Sequence, residues 1–345
     1  MSAVQTLFVV LLLALSACTV ADERTAPLED VRNEHVPVPT ATVATAAESL
    51  AYCDKAATLF LANGTSLFRT RDLVTWEPIT VPDSAVRPLT SVAAGVRGDR
   101  RAILIAARDG IYRSPDGGIS WSKCSPEAVG QPNVVCIPQC NCRSAWVGSS
   151  TGVWRSPNLG MSWQRFERGI GPMDVRAIAP EPARVDETVA VATQEAVFVT
   201  FTEGHLFAEL PLWLRVDERE PRAVTCLTVS RQGLETGRGE LLVGTPTGVR
   251  VTADGGTTWR LVPGLPGAPR CLTTDSRGRV YCATSSGTYV RSDIASGWRQ
   301  LSPVGAAAMV ALGDGVVWVA GDRLFLATGE PIQCKTTPLT LPVVR

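Results

Sequence analysis

The sequence predicts an all-β fold, a seven-bladed β-propeller of four-stranded antiparallel blades. Two observations point to it. A turn motif ending in tryptophan recurs about every 42 residues, and a set of short apolar strands repeats in step with it. Of the 345 residues, about 290 are left for the repeats, and that length divides by the period into seven. Six units would need about 48 residues each and eight about 36; both fit the spacings worse.

The turn motif comes first. Ser114-Pro-Asp116-Gly-Gly118-Ile-Ser-Trp121, Ser156-Pro-Asn158-Leu-Gly160-Met-Ser-Trp163 and Thr252-Ala-Asp254-Gly-Gly256-Thr-Thr-Trp259 share the pattern S/T-x-D/N-x-G-x-S/T-W. Two copies are one residue short, Thr70-Arg-Asp72-Leu-Val-Thr-Trp76 and Ser292-Asp-Ile-Ala-Ser-Gly-Trp298. The tryptophans are 45, 42, 96 and 39 residues apart, and the gap of 96 spans two periods around an eroded copy near Thr200 to Trp213. The residue types have a physical reason. Asp or Asn accepts hydrogen bonds from the N–H groups of its own turn, and Gly takes the positive φ of a tight hairpin. The Trp then folds back into the layer between sheets and buries a large ring.

Just upstream of each turn lies a hairpin, as in Ala107-Arg-Asp-Gly-Ile-Tyr-Arg113 and Ser149-Ser-Thr-Gly-Val-Trp-Arg155. Ahead of the hairpins come strands such as Ala102–Ala107, Leu241–Gly244 and Val280–Thr284. Each unit therefore reads as four short strands. The expected units are 50–83, 84–127, 128–169, 170–219, 220–265, 266–303 and 304–341, the last carrying a hairpin but no turn motif.

The turn motif resembles the Asp-box, or BNR repeat. That repeat marks sialidase-like propellers and relatives of the photosystem II assembly-factor, sortilin and WD40/YVTN/BNR-like types. The resemblance covers nearly the whole repeat region. It implies that Asp72, Trp76, Ser114, Asp116, Gly118, Trp121, Ser156, Asn158, Gly160, Trp163, Asp254, Gly256, Trp259 and Trp298 are folding elements, set on outer hairpins away from the usual binding face.

The N-terminus points to a compartment. Leu7–Leu15 is continuously apolar, about the length of a signal-peptide core, although Met1–Thr6 lacks the usual Lys or Arg. Leu15-Ser16-Ala17-Cys18 follows and resembles a bacterial lipobox, which makes Cys18 the expected acylation site. Residues 18–49 are rich in Ala, Thr, Pro and charge with no apolar period, as a disordered tether would be. The expected organisation is a signal peptide at 1–17, a lipid-anchored tether at 18–49 and the propeller at 50–341. Thr19, in place of Asp, favours the outer membrane if the cell has one.

Few chemistries fit what remains. Lys plus Arg and Asp plus Glu balance at 33 each, so nothing argues for a nucleic-acid partner. His35 lies in the tether and His205 stands alone in the propeller, too few for a multi-histidine metal site. Sialidase chemistry would need a Tyr nucleophile, a carboxylate acid/base and an arginine cluster, and the family's Phe/Tyr-Arg-Ile-Pro motif is missing. Tyr112 shares a strand position with Trp154 and Phe198, which suggests packing. Arg69, Arg113, Arg155 and Arg291 recur just before the turn motif on separate blades, where they are expected to lay their stems along blade edges.

Beyond Cys18 there are nine cysteines, so at least one is unpaired within the chain. Cys271 and Cys282 lie at equal steps from the centre of the turn Asp275–Gly278, and Cys136 and Cys142 flank Pro138–Asn141; both are candidate disulfides, with metal binding the lesser alternative. The run Asp217-Glu218-Arg219-Glu220-Pro-Arg222 joins two units and is a candidate binding loop. The expectation is a non-enzymatic envelope lipoprotein that binds an unidentified envelope protein or glycan, without catalytic residues, metal or cofactor. A sialidase-like glycoside hydrolase is the alternative.

Overall fold

The computed structural model describes residues 49–342 except 139–143, 167, 181–187, 194, 202–212, 217–222, 231–239, 293–295 and 330. Twenty-eight strands form seven sheets, each of four consecutive antiparallel strands. Blade 1 runs from Ser49 to Ile79, blade 2 from Leu89 to Lys123, blade 3 from Pro132 to Arg165 and blade 4 from Val175 to Arg215. Blades 5, 6 and 7 run from Cys226 to Val262, Pro269 to Ser302 and Ala308 to Pro338. The first strands of neighbouring blades contact one another all the way round, blade 7 against blade 1, so they line the central axis. The chain is a seven-bladed β-propeller.

Among the described residues blade 7 uses four consecutive strands of its own, Ala308 to Pro338, and blade 1 uses four of its own. Packing closes the ring. Tyr52, Leu61 and Phe68 of blade 1 meet Leu312, Val317 and Val319 of blade 7 in one buried cluster.

The second strands show why the apolar runs are continuous rather than alternating. Along Ala102–Ala107 every residue is buried, because a neighbouring blade covers each face of the sheet. Ile103 and Ile105 pack toward blade 1 while Leu104 and Ala106 pack toward blade 3. The period-2 geometry of a strand thus feeds two interfaces at once. Polar clips near the axis add to this. Thr90 Oγ1 donates to Pro132 O (3.2 Å), Asn133 Nδ2 to Val175 O (3.0 Å) and Thr225 Oγ1 to Pro269 O (2.7 Å), each reaching the next blade.

Each turn tryptophan reaches back into the interface with the preceding blade. Trp76 packs on blade 7, Trp163 on blade 2, and Trp298 on blade 5. Trp259 packs on blade 4 and donates Nε1 to Val216 O at 2.9 Å. Depth varies: Trp76 and Trp163 are buried, whereas Trp121, on blade 1, is half-buried.

The proposed Cys271–Cys282 disulfide is corrected by the register. Cys271 pairs with Ala283 and Leu272 with Cys282, so the two cysteines are one step apart and face opposite sides of the sheet. Cys271 packs toward blade 7 and Cys282 toward blade 5. The turn has five residues, Asp275 to Arg279, between Thr274 and Val280, which moves its centre by half a residue. One such step flips a side chain to the other face. Cys136 pairs with Trp146 across its ladder, and its candidate partner Cys142 lies outside the described residues.

Candidate functional site

The repeated turns are built from a local hydrogen-bond set. Ser114 Oγ donates to Asp116 Oδ1 (2.8 Å) and accepts from Gly118 N (2.7 Å). Asp116 Oδ1 then accepts from Ile119 N (3.1 Å) and Ser120 N (2.9 Å). Thr252, Asp254, Gly256 and Thr258 repeat the set in blade 5. The short copy in blade 1 keeps it too, with Asp72 Oδ1 accepting from Val74 N and Thr75 N. Gly118 and Gly256 are needed twice over, for a positive φ and for space. A Cβ on Gly118 would strike Ile79 of blade 1, and one on Gly256 would strike Val216 of blade 4.

Electrostatics follow the same bonds. The Ser120 hydroxyl and N–H hold the Asp116 carboxyl down to about 2, and Thr258 does the same for Asp254. A lowered folded-state value stabilises the fold above the ordinary carboxylate range, and that share is lost as pH falls toward about 2. Asn158 fills this place in blade 3, accepting from Ser162 N and donating to Ser162 Oγ, both at 2.9 Å. Asp116→Asn should therefore fold normally but lose part of the acid-side slope of melting temperature against pH. Identical acid limbs for the two proteins would refute this account.

The arginines before the turns do more than cover edges. Arg69 Nη1 donates to Gly117 O (3.0 Å) and Arg113 Nε to Leu159 O (2.8 Å), the same position of the next blade's turn in both cases. Arg155 instead lies over Trp146 and Phe166 and donates to Ser144. Arg291 is buried beside Glu240 at 3.8 Å. Arg69, Arg113 and Arg291 thus reach a neighbouring blade, Arg155 packs within its own, and the four do not converge.

Sequence reasoning missed a buried ionic network. Asp275 and Arg279, only 1% and 4% exposed, pair at 2.6 Å in the first turn of blade 6. Tyr281 donates to the same carboxylate at 3.0 Å, while Arg279 donates to Gly329 O (3.0 Å) and Asp314 O on blade 7. Burial, then the Asp275 charge, raises the Tyr281 phenol well above its ordinary value, so it is poorly suited to act as a nucleophile. The Cys226 and Cys271 thiols are pushed by burial to about 12 and about 11, which keeps them protonated.

Two surfaces remain. The loop face carries the inter-blade loops and the hairpins between second and third strands. Its loops are pinned: Asp109 accepts from Val86 N (2.9 Å), Tyr112 (2.8 Å) and Lys123 (3.0 Å), and Thr151 Oγ1 donates to Ala128 O and Val129 O, both at 2.9 Å. Burial opposes the Asp109 charge, but these three donors outweigh it and hold the carboxyl below its usual range. The candidate loop Asp217–Arg222 lies outside the described residues.

The opposite, turn face holds a cleft of about 490 Å³ between blades 1 and 2. Lys55, Arg71, Arg101 and Asp99 line its rim, above Phe60, Ala94 and Ile103. Its sequence sign is the charged hairpin Arg97-Gly-Asp-Arg-Arg101, whose partners across the cleft on blade 1, from Cys53 to Arg71, are more than 20 residues away in the chain.

No family model matches the chain, and no curated protein does. Solved structures do. YCF48 bound to a D1 peptide is 17% identical with a TM-score of 0.58, covering 81% of this chain and 92% of that one. PorZ, a surface component of the type-IX secretion system of Porphyromonas gingivalis, is 12% identical with a TM-score of 0.62, covering 86% of this chain and 39% of that one. A GH74 xyloglucanase from Xanthomonas campestris is 17% identical with a TM-score of 0.55, covering 83% and 51%. The likeness is one of fold. A β-propeller of this shape serves peptide binding, secretion and glycan hydrolysis among those three, so function must be argued from the surfaces.

Proposed function

We propose that this chain is a non-enzymatic binding scaffold of a bacterial cell envelope, lipid-anchored at Cys18, with Asp-box-type repeats forming its blades. In this reading the loop face takes an envelope protein or glycan. The observation that carries it is the pinning of the loop-face connections by Asp109 and Thr151. A surface already fixed before contact loses little conformational entropy on binding. YCF48, with its bound D1 peptide, supports the reading by analogy of fold alone.

The test has two arms. Cys18→Ala should abolish fatty-acid labelling and release the protein from the membrane fraction; continued labelling would refute the anchor. Photo-crosslinkers on the loop face, at Val86 and at Arg108, should capture a discrete envelope component, while fluorogenic glycosides stay intact. Turnover of such a glycoside by the purified chain would refute the non-enzymatic reading.

A further inference from the structure

The turn face of blades 1 to 3 has a composition that folding does not require. Val74, Ile119 and Met161 occupy the tip of the repeated turn on three successive blades, and they are 51%, 86% and 56% exposed. They are three of the seven large apolar residues exposed among the described residues, and they share one structural position. Blade 5 has Thr257 there, so the turn itself does not call for an apolar residue. Equivalent tips of a propeller lie at one height along the ring axis, so all three side chains project from the same face at a common level.

Cations surround these tips. Lys55, Arg71, Arg97, Arg100 and Arg101 are all exposed on the same face, at the blade 1–2 cleft and at the neighbouring cleft between blades 2 and 3. Arg97 also donates to Pro157 O at 3.1 Å. The acids here are Asp99, half-buried Asp54, Glu77, which pairs with Arg69, and the turn residues Asp72 and Asp116, both of which fold back onto their own N–H groups. The outward-reaching side chains are therefore mostly basic.

We infer that this face docks flat on an anionic lipid surface, with Val74, Ile119 and Met161 entering the headgroup layer and Lys55, Arg71 and Arg100 pairing with lipid phosphates. A plane of apolar tips among cations matches a bilayer interface, where apolar burial and charge attraction add. Exposed apolar tips on three successive blades at a common level of one face favour a flat partner over a single peptide strand, which a groove would suit better. Docking this way turns the loop face outward. The inference goes beyond the proposed loop-face binding and does not need the N-terminal lipid.

The experiment is hydrogen exchange of the full chain on phosphatidylcholine vesicles with and without phosphatidylglycerol. Any N-terminal anchor acts in both arms. Slower exchange at residues 97–101 and 117–120 on the anionic vesicles only, reversed by high salt, is the expected result. In the Cys18→Ala background, where no acyl anchor contributes, Lys55→Glu, Arg71→Glu and Arg100→Glu together should reduce partitioning onto anionic vesicles by about a hundredfold or more. Ile119→Asp, at a position that packs against little, is the second variant and should also weaken docking with unchanged melting. Equal protection on both vesicle types, or none on either, would overturn the inference. So would protection by soluble poly-glutamate but not by vesicles, which would assign the face to an acidic protein. Crosslinking from the loop face should be untouched by these variants, so the two readings fail separately.

Discussion

Trp163→Ala is expected to destabilise the propeller by about 3–5 kcal/mol, the range for removing a large buried ring. That is a large share of the roughly 5–15 kcal/mol that holds a typical domain together. The ring sits between blades 2 and 3 in one buried cluster with Leu104, Ile111, Val135 and Leu159. Trp121→Ala removes the same group from the same motif position, but its ring is only partly buried and should cost less. Denaturant melts of both variants decide the matter. Equal losses would mean that the motif, rather than depth of burial, sets the energy.

Arg279→Ala is the second large effect, again about 3–5 kcal/mol, because it leaves a buried carboxylate without its countercharge. Asp275 would keep the N–H groups of residues 277 and 279 and the Tyr281 hydroxyl, but lose the guanidinium at 2.6 Å. Blade 7 would also lose two donors, to Gly329 O and Asp314 O. Arg279→Lys should not rescue it, since one ammonium cannot reproduce a planar fork aimed at three acceptors. Removing both charges, as Asp275→Asn with Arg279→Leu, should cost less than the two single changes summed. Additive losses would show that the pair is not coupled.

What the sequence determined by itself was the part written in short-range chemistry. In the turns, Ser114, Asp116 and Ser120 bond one another within six residues, so the pattern alone specifies the conformation. Repeating it at a period of about 42 sets the size of a blade, and the length of the repeat region then sets the number of blades. The continuous apolar run at Ala102–Ala107 likewise announced a strand covered on both faces. Tertiary structure decided everything that depends on the neighbouring blade. A five-residue turn moved the register by one and put Cys271 and Cys282 on opposite faces, a shift that spacing alone cannot show. Arg69 and Arg113 found their acceptors 48 and 46 residues ahead, in the next blade's turn. The difference between Trp121 and Trp163, the Asp275–Arg279 pair and the cleft at Lys55 and Arg101 arise in the same way. A hydrogen bond within a turn is fixed by a few dihedral angles, whereas a contact between blades depends on how two finished sheets seat against each other.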